Sequence, residues 1–141
     1  MSPPSTYLAD KSAFSRHATR PEVRERIGPL LVAGQIATCG VIDLELLYSA
    51  PSPQAYLELA VLLRSLPHAP MDDAVLGRAL EVQGRLAERS QHRAVSLPDL
   101  MIAACAEQAG LSVLHYDADF DRIAEVTGQP TQSVVPRGSV S

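Results

Sequence analysis

Apolar residues fall along the chain in short blocks of two alternating kinds. Thr6–Ala9 is a brief apolar run of strand length. Val23, Ile27, Leu30 and Leu31 follow at helical spacing, behind Pro21 and Glu22, which suit a helix's first turn. Gly28-Pro29 should kink or split that helix, because proline removes a backbone donor and crowds the preceding turn. Gln35–Cys39 reads as a second short strand. Val41–Ser49 reads as a helix with Val41, Leu44, Leu47 and Tyr48 on its buried side, ended by Pro51 and Pro53. Leu57, Ala60, Val61 and Arg64 mark the period of a helix from about Gln54 to Leu66, and Pro67–Pro70 is a short segment of strand length. Asp72 or Asp73 then caps a long helix to about Ser90, with Val75, Leu76, Ala79, Leu80, Gln83, Leu86 and Ala87 as its stripe.

The stretch Ser96–Asp121 is the densest. Leu100–Ala106 is apolar on every face, which predicts a buried helix, and Asp99 stands at its start. Leu111–Tyr116 predicts a buried strand between Gly110 and an acidic loop of Asp117, Asp119 and Asp121. Phe120–Thr127 is a last short helix stopped by Gly128, and Ser133–Val135 a final edge strand. Strands alternating with helices predict an α/β fold with a parallel sheet flanked by helices. Carboxylates where a core helix begins and a core strand ends then lie at the sheet's rim, where open α/β folds keep their ligands.

A chain of 141 residues, 46% hydrophobic and 20% charged, is expected to be one soluble globular domain with a real core. Its net charge of −4 argues against a nucleic-acid partner, unless Asp10, Glu45, Asp99, Asp117 and Asp119 are neutralised by metal. Eleven arginines to one lysine suit bidentate contact with phosphate. Cys39 and Cys105 sit among apolar residues and read as small buried thiols, which fits a reducing compartment. No run reaches the roughly 18 apolar residues of a membrane span. The opening MSPPSTYLAD lacks a basic segment followed by an apolar one, so no signal peptide and a cytoplasmic location are expected.

The acids at element ends or within a helix are Asp10, Glu45, Asp99, and Asp117 with Asp119. If a fold brings them together, they repel one another unless a hard divalent cation sits between them. Mg²⁺ or Mn²⁺ prefers such oxygen-only sites and can generate a nucleophile for in-line attack on a phosphodiester. Each acid also has a plain structural use. Ser96-Leu97-Pro98-Asp99 looks like a capping box, with Asp99 bonding back to the Ser96 backbone. Asp119 fits the N-cap of the last helix, Asp121 the positive end of that helix, Asp10 a cap after the first strand, and Glu45 a solvated face. Asp43 and Glu45 are about 200° apart around a helix and cannot face one site.

Other metal chemistries fit less well. Asp117-x-Asp119-x-Asp121 opens like a calcium loop, but Arg122 and Gly128 stand where that loop needs Gly and Glu. No Cys or His pair has zinc spacing, and no glycine loop is built for phosphate. His115, in a strand, reads as a packed residue.

Four ordered segments resemble the PIN-domain ribonucleases, in particular the VapC-like toxins of type II toxin–antitoxin systems. They are Tyr7-Leu8-Ala9-Asp10-Lys11-Ser12-Ala13, Ile42-Asp43-Leu44-Glu45-Leu46-Leu47-Tyr48, His92-Arg93 with Asp99-Leu100-Met101-Ile102-Ala103-Ala104, and Leu114-His115-Tyr116-Asp117-Ala118-Asp119-Phe120-Asp121-Arg122-Ile123. Together they span nearly the whole chain, about residues 6–136 of a single domain over 1–141. The resemblance implies a PIN-like three-layer α/β/α fold around a parallel sheet of four or five short strands. It implies a Mg²⁺- or Mn²⁺-dependent endoribonuclease in which metal-activated water cuts RNA, leaving a 5′-phosphate and a 3′-hydroxyl. By position, Asp10, Glu45, Asp99 and Asp117 would bind metal, Asp119 would assist, and Ser12 would orient a carboxylate or a water. A homodimer and a small VapB-like antitoxin, with its tail in the acidic groove, are also implied.

Lys11 stands where the family more often has Thr. It either contacts phosphate beside Asp10 or, by alternation along an extended chain, points away. Arg93 is the basic residue nearest an acid of the set and the first choice for an RNA contact, with Arg16, Arg20, Arg24 and Arg26 as a further rim. No base-stacking platform is legible from two Phe and four Tyr. Two rival readings are a catalytically inactive PIN-like module that binds RNA or a protein partner, and a receiver-like signalling domain. The second lacks an acidic pair after the first strand and an Asp ending a middle strand.

Overall fold

Strands β1 (Tyr7–Ala9), β2 (Ile36–Ala37), β3 (Ser112–His115) and β4 (Thr131–Ser133) form one parallel sheet, ordered β2-β1-β3-β4, in the computed structural model, which describes residues 5–141. The polar opening Met1–Ser5 reads in the sequence as a frayed end, and that reading falls, Ser5 apart, outside the described residues. Register is regular: Leu8 sits opposite Ala37 and Val113, and Val113 opposite Thr131.

Alternation along the strands divides the core in two. Leu8 and Val113 enter one buried cluster, and Ala9 and Leu114 enter the other. The second is closed by α1 (Lys11–His17) and α2 (Pro21–Val32), through Ala13, Val23 and Ile27. The first is closed by α3 (Gly40–Tyr48), α5 (Asp73–Glu88), α6 (Leu97–Ala109) and α7 (Ala118–Thr127). Helices on both faces of a parallel sheet give three layers, as expected.

Several local expectations are corrected. α2 is not split: Pro29 lies inside it, near its end. The carbonyl that loses its helical donor belongs to exposed Glu25, while Val23 and Ile27 anchor the helix in the core. Pro67–Pro70 contributes one parallel bridge, Thr38 to His68, rather than a strand. The edge strand begins directly after Pro130, at Thr131 instead of Ser133.

The buried faces of the middle helices are also displaced from the expected ones. α3 buries Ile42 and leaves Leu44 and Tyr48 exposed, because it turns Ile42 into the core and Glu45 toward the sheet's rim. α4 (Pro53–Arg64) buries only Leu63. The stripe of α5 is centred on Val75, Ala79, Val82 and Leu86, with Leu76 and Leu80 outside it.

α6 matches its composition. It is buried from Asp99 to Ala106 apart from Met101, and it ends at Gly110 with φ +70°, where glycine avoids the Cβ clash. Cys39 and Cys105 are buried free thiols, and Cys105 Sγ donates to the Pro70 carbonyl at 3.3 Å. Among the described residues no helix is long and apolar enough to cross a membrane.

Candidate active site

β1 and β3 are neighbours whose chains continue to opposite edges of the sheet, so their carboxyl ends form its switch point. Asp10 follows β1 directly, and its N–H extends the ladder to the Leu114 carbonyl at 3.0 Å. Its Oδ2 accepts from the Ser12 N–H at 3.0 Å and from the Ser12 hydroxyl at 2.6 Å. The Ser12 oxygen in turn accepts from the Tyr116 N–H at 2.8 Å. One hydroxyl thus ties the end of β1 to the end of β3 and fixes the orientation of the Asp10 carboxylate.

Asp117 is the N-cap of α7, its Oδ1 accepting from the Asp119 N–H at 2.9 Å. That corrects the assignment of the cap to Asp119. The proposed capping box of α6 is only half made. Ser96 Oγ accepts from the Asp99 N–H at 3.3 Å, but the Ser96 N–H goes to Asp119 Oδ2 at 3.0 Å. The Asp99 carboxylate is therefore released from the helix end and faces the other acids. Glu45 arrives from α3, while Asp43 on the far side bonds the Thr38 hydroxyl and His68.

The result is an open cleft of about 400 Å³ lined by Asp10, Ser12, Glu45, Asp99, Asp117 and Asp119, with Lys11, Ser15, Arg16, Ser96 and Tyr116 around them. Carboxylate oxygens of Asp10, Glu45 and Asp99 lie within 4.8 Å of one another, and so do those of Asp99, Asp117 and Asp119. Asp99 belongs to both groups.

The electrostatics are those of crowded acids. Burial pushes the Asp99 carboxyl up to about 9, helped by its hydrogen bond to Asp119 and by the Asp10 charge. Burial also raises Asp10, against the hydrogen bonds from Ser12. Burial and the Asp10 charge raise Glu45, and the nearby Lys11 opposes this. Glu45 Oε1 is buried and has no hydrogen-bond partner among the described residues. An all-oxygen donor set with an acceptor left without a donor fits a hard divalent cation.

Residues 7–126 match the PIN domain family. The chain belongs to the PIN domain family. It is 46% identical over 134 residues to Ribonuclease VapC21 of Mycobacterium tuberculosis, covering 94% of this chain and 96% of that one. It is 45% identical over 136 residues to Ribonuclease VapC18 of the same organism, covering 95% and 98%. A DNA-bound VapBC structure from Salmonella typhimurium shares the fold at a TM-score of 0.72 and 20% identity, over 93% of this chain and 99% of that one. VapBC2 from Rickettsia felis, bound to a fragment of promoter DNA, does so at a TM-score of 0.71 and 15% identity, over 90% and 97%.

In this PIN domain all six residues expected in the catalytic set, Asp10, Ser12, Glu45, Asp99, Asp117 and Asp119, line one cleft. Lys11 does too. It opens helix α1, so strand alternation does not govern it. Arg93 is exposed in the loop before α6 and is not among the cleft-lining residues. The cations that do line the cleft are Lys11 and Arg16. Arg26 turns instead to Tyr7, 5.4 Å over its ring.

Tyr116 was not singled out from the sequence. Its hydroxyl accepts from the Gly138 N–H at 2.7 Å and bonds the Val140 carbonyl at 2.9 Å, while Arg16 and Arg137 lie 4.8 and 5.3 Å over its ring. The one available signal was its position on β3's path, immediately before Asp117. Nothing local indicated that residues 136–141 would fold over it.

Proposed function

We propose that this chain is a divalent-metal-dependent endoribonuclease and the toxin of a toxin–antitoxin pair. One observation carries the reading: five carboxylates from four separate segments converge in one cleft, with Asp99 common to both close groups. The VapC relatives named above are ribonucleases, which agrees with it.

Asp10, Glu45, Asp99 and Asp117 would hold the ion, with Asp119 beside Asp99. Mg²⁺ or Mn²⁺ matches the oxygen-only donors. A bound ion supplies the positive charge that offsets carboxylates and phosphate and lowers the pKa of water. The chain's own part is positional. Ser12 keeps one Asp10 oxygen fixed and the other toward the cleft. Asp119 keeps Asp99 off its helix cap. Asp99, whose carboxyl burial holds above the ordinary range, would have to shed its proton to serve as a ligand. Lys11 and Arg16 meet the RNA phosphates that the acids alone would repel. Attack by water rather than by the ribose hydroxyl leaves a 5′-phosphate and a 3′-hydroxyl.

A VapB-like antitoxin is the proposed protein partner, since the structural neighbours are VapBC complexes. A homodimer, through the exposed apolar residues of α3 and α4, and a cytoplasmic location complete the proposal.

The test is cleavage of total cellular RNA by the purified protein with Mn²⁺ or Mg²⁺, against EDTA and Asp99→Asn controls. Cuts that need metal, carry 5′-phosphates and vanish in the variant are expected. Cleavage that persists in EDTA, or 2′,3′-cyclic phosphate ends, would overturn the mechanism.

A further inference from the structure

His115 closes β3 two residues before Asp117, and its ring is 1% exposed, packed against Phe120 with centroids 5.0 Å apart. Its Nδ1 lies 3.1 Å from the backbone nitrogen of Asp117 and accepts that N–H. The acceptor nitrogen carries no proton, so the neutral ring is protonated at Nε2. That Nε2 is buried and has no hydrogen-bond partner among the described residues. The nearest carboxylate oxygen, Asp121 Oδ1, is 3.9 Å away, too far for a hydrogen bond.

A buried ring with one nitrogen unpaired is a poor choice for packing alone, where Leu would fill the space without an orphaned donor. The polar link the ring does make is to Asp117. With that link, Asp117 is held twice: its N–H by His115, and its Oδ1 by the Asp119 N–H. Its second carboxylate oxygen is left for the cleft. We propose that His115 is a positioning residue, setting the backbone of Asp117 so that this carboxylate presents its free oxygen to a divalent ion. The inference rests on the reading of Asp117 as an ion ligand.

Three substitutions separate geometry from packing. Asn places its amide oxygen where Nδ1 lies, Gln places its own nearer Nε2, and Leu has neither. The readouts are Mn²⁺ affinity, followed by electron paramagnetic resonance, and hydrogen exchange at the Asp117 amide in metal-free protein. His115→Leu and His115→Gln are expected to weaken Mn²⁺ binding by about tenfold, the lower end for lost outer-shell partners, and to speed exchange. His115→Asn is expected to stay near wild type in both.

Folded Leu and Gln variants with wild-type affinity overturn the inference, as does an Asn variant as weak as Gln. If no variant folds, the ¹⁵N spectrum of the wild-type imidazole decides: an Nε2–H tautomer supports the inference and an Nδ1–H tautomer overturns it. Wild-type protein that binds no Mn²⁺ overturns the metal reading and this inference with it, whereas intact binding in both wild type and His115→Gln overturns the inference alone.

Discussion

Asp119 Oδ2 accepts the Ser96 N–H at 3.0 Å and so performs, from α7, the capping that Asp99 would otherwise give its own helix. The relationship makes two parts of the site interdependent: remove the Asp119 acceptor, and Asp99 can fall back onto Ser96. Asp119→Ala should therefore cost about 1 kcal/mol of stability, the usual worth of a helix-end hydrogen bond, and also weaken Mn²⁺ binding. Asp119→Asn keeps an acceptor oxygen and removes a charge, so it should unfold no earlier than wild type in EDTA while losing RNA cleavage. Thermal unfolding of both variants beside a cleavage assay checks this. Equal destabilisation by Ala and Asn would show that the Ser96 contact contributes nothing.

The Asp99 carboxyl makes stability depend on pH in an unusual direction. Its ordinary value is near 4, and the fold pushes it up to about 9. Below pH 4 both folded and unfolded chains hold this proton. As pH rises toward 9 the unfolded chain releases it and the folded chain does not, so this site's contribution to stability falls across that window. Burial moves Asp10 and Glu45 the same way. In EDTA, Asp99→Asn should unfold above wild type at pH 8 by about 3 °C or more, the shift about 1 kcal/mol gives in a chain of this size. The gap should close toward pH 4. With Mn²⁺ present the order should reverse at pH 8, because only the wild type gains the ion. A gap in EDTA that does not change with pH would remove Asp99 as its source.

Much of this site was legible because the residues that carry it stand at element boundaries. Asp10 after an apolar run, Asp99 behind Ser96 and Asp117 after Leu114–Tyr116 are all placed by the sequence pattern alone. The α/β class followed from alternating strand and helix blocks. What stayed hidden depends on contacts between distant segments. Which acid would cap α6 was decided by Asp119, 23 residues away. Arg93 looked close to Asp99 in sequence, but the chain from Gln91 to Val95 runs outside the cleft. Periodicity found α3, α4 and α5 but misjudged their buried faces. Their apolar residues extend around more than one side, and packing against the sheet selects only part of each.

His68 holds a second joint. Its Nδ1 meets the Leu66 carbonyl at 2.9 Å and its Nε2 meets Asp43 Oδ2 at 2.7 Å, so a ring satisfying both acceptors must be protonated. The Asp43 carboxylate accordingly raises the pKa of the imidazole. The sign is opposite in origin to an acid's but similar in outcome: the contribution is full below the unfolded value near 6.5 and is lost as pH rises through the raised folded value. Because the ring is 40% exposed, solvent screening limits the gain to less than about 1 kcal/mol. His68→Gln should lower the unfolding temperature at pH 6 and do so less at pH 9. NMR titration of the imidazole should give a midpoint above that of a free histidine. A midpoint at or below the free value would dissolve the Asp43–His68 account.

The exposed face of α3 and α4 carries apolar side chains that nothing in the fold covers. Tyr48 is 90% exposed, Leu44 70%, Leu57 60% and Val61 59%. Tyr48 and Leu57 line one shallow groove with Pro51 and Tyr56, and an apolar patch of this kind on a monomer is uncommon unless something covers it. A second copy of the chain is the proposed cover. None of these four side chains contributes to the buried core, so charging them should leave the fold intact. The double variant Tyr48→Glu, Leu57→Glu should elute as a monomer in size-exclusion chromatography with light scattering, where the wild type runs as a dimer. Leu80→Glu, on a separate apolar groove between α5 and α6, should leave that dimer unchanged. A wild type that is monomeric at tens of micromolar would sink the proposal. A dimer lost through Leu80→Glu but kept by the double variant would move the interface to the α5–α6 groove.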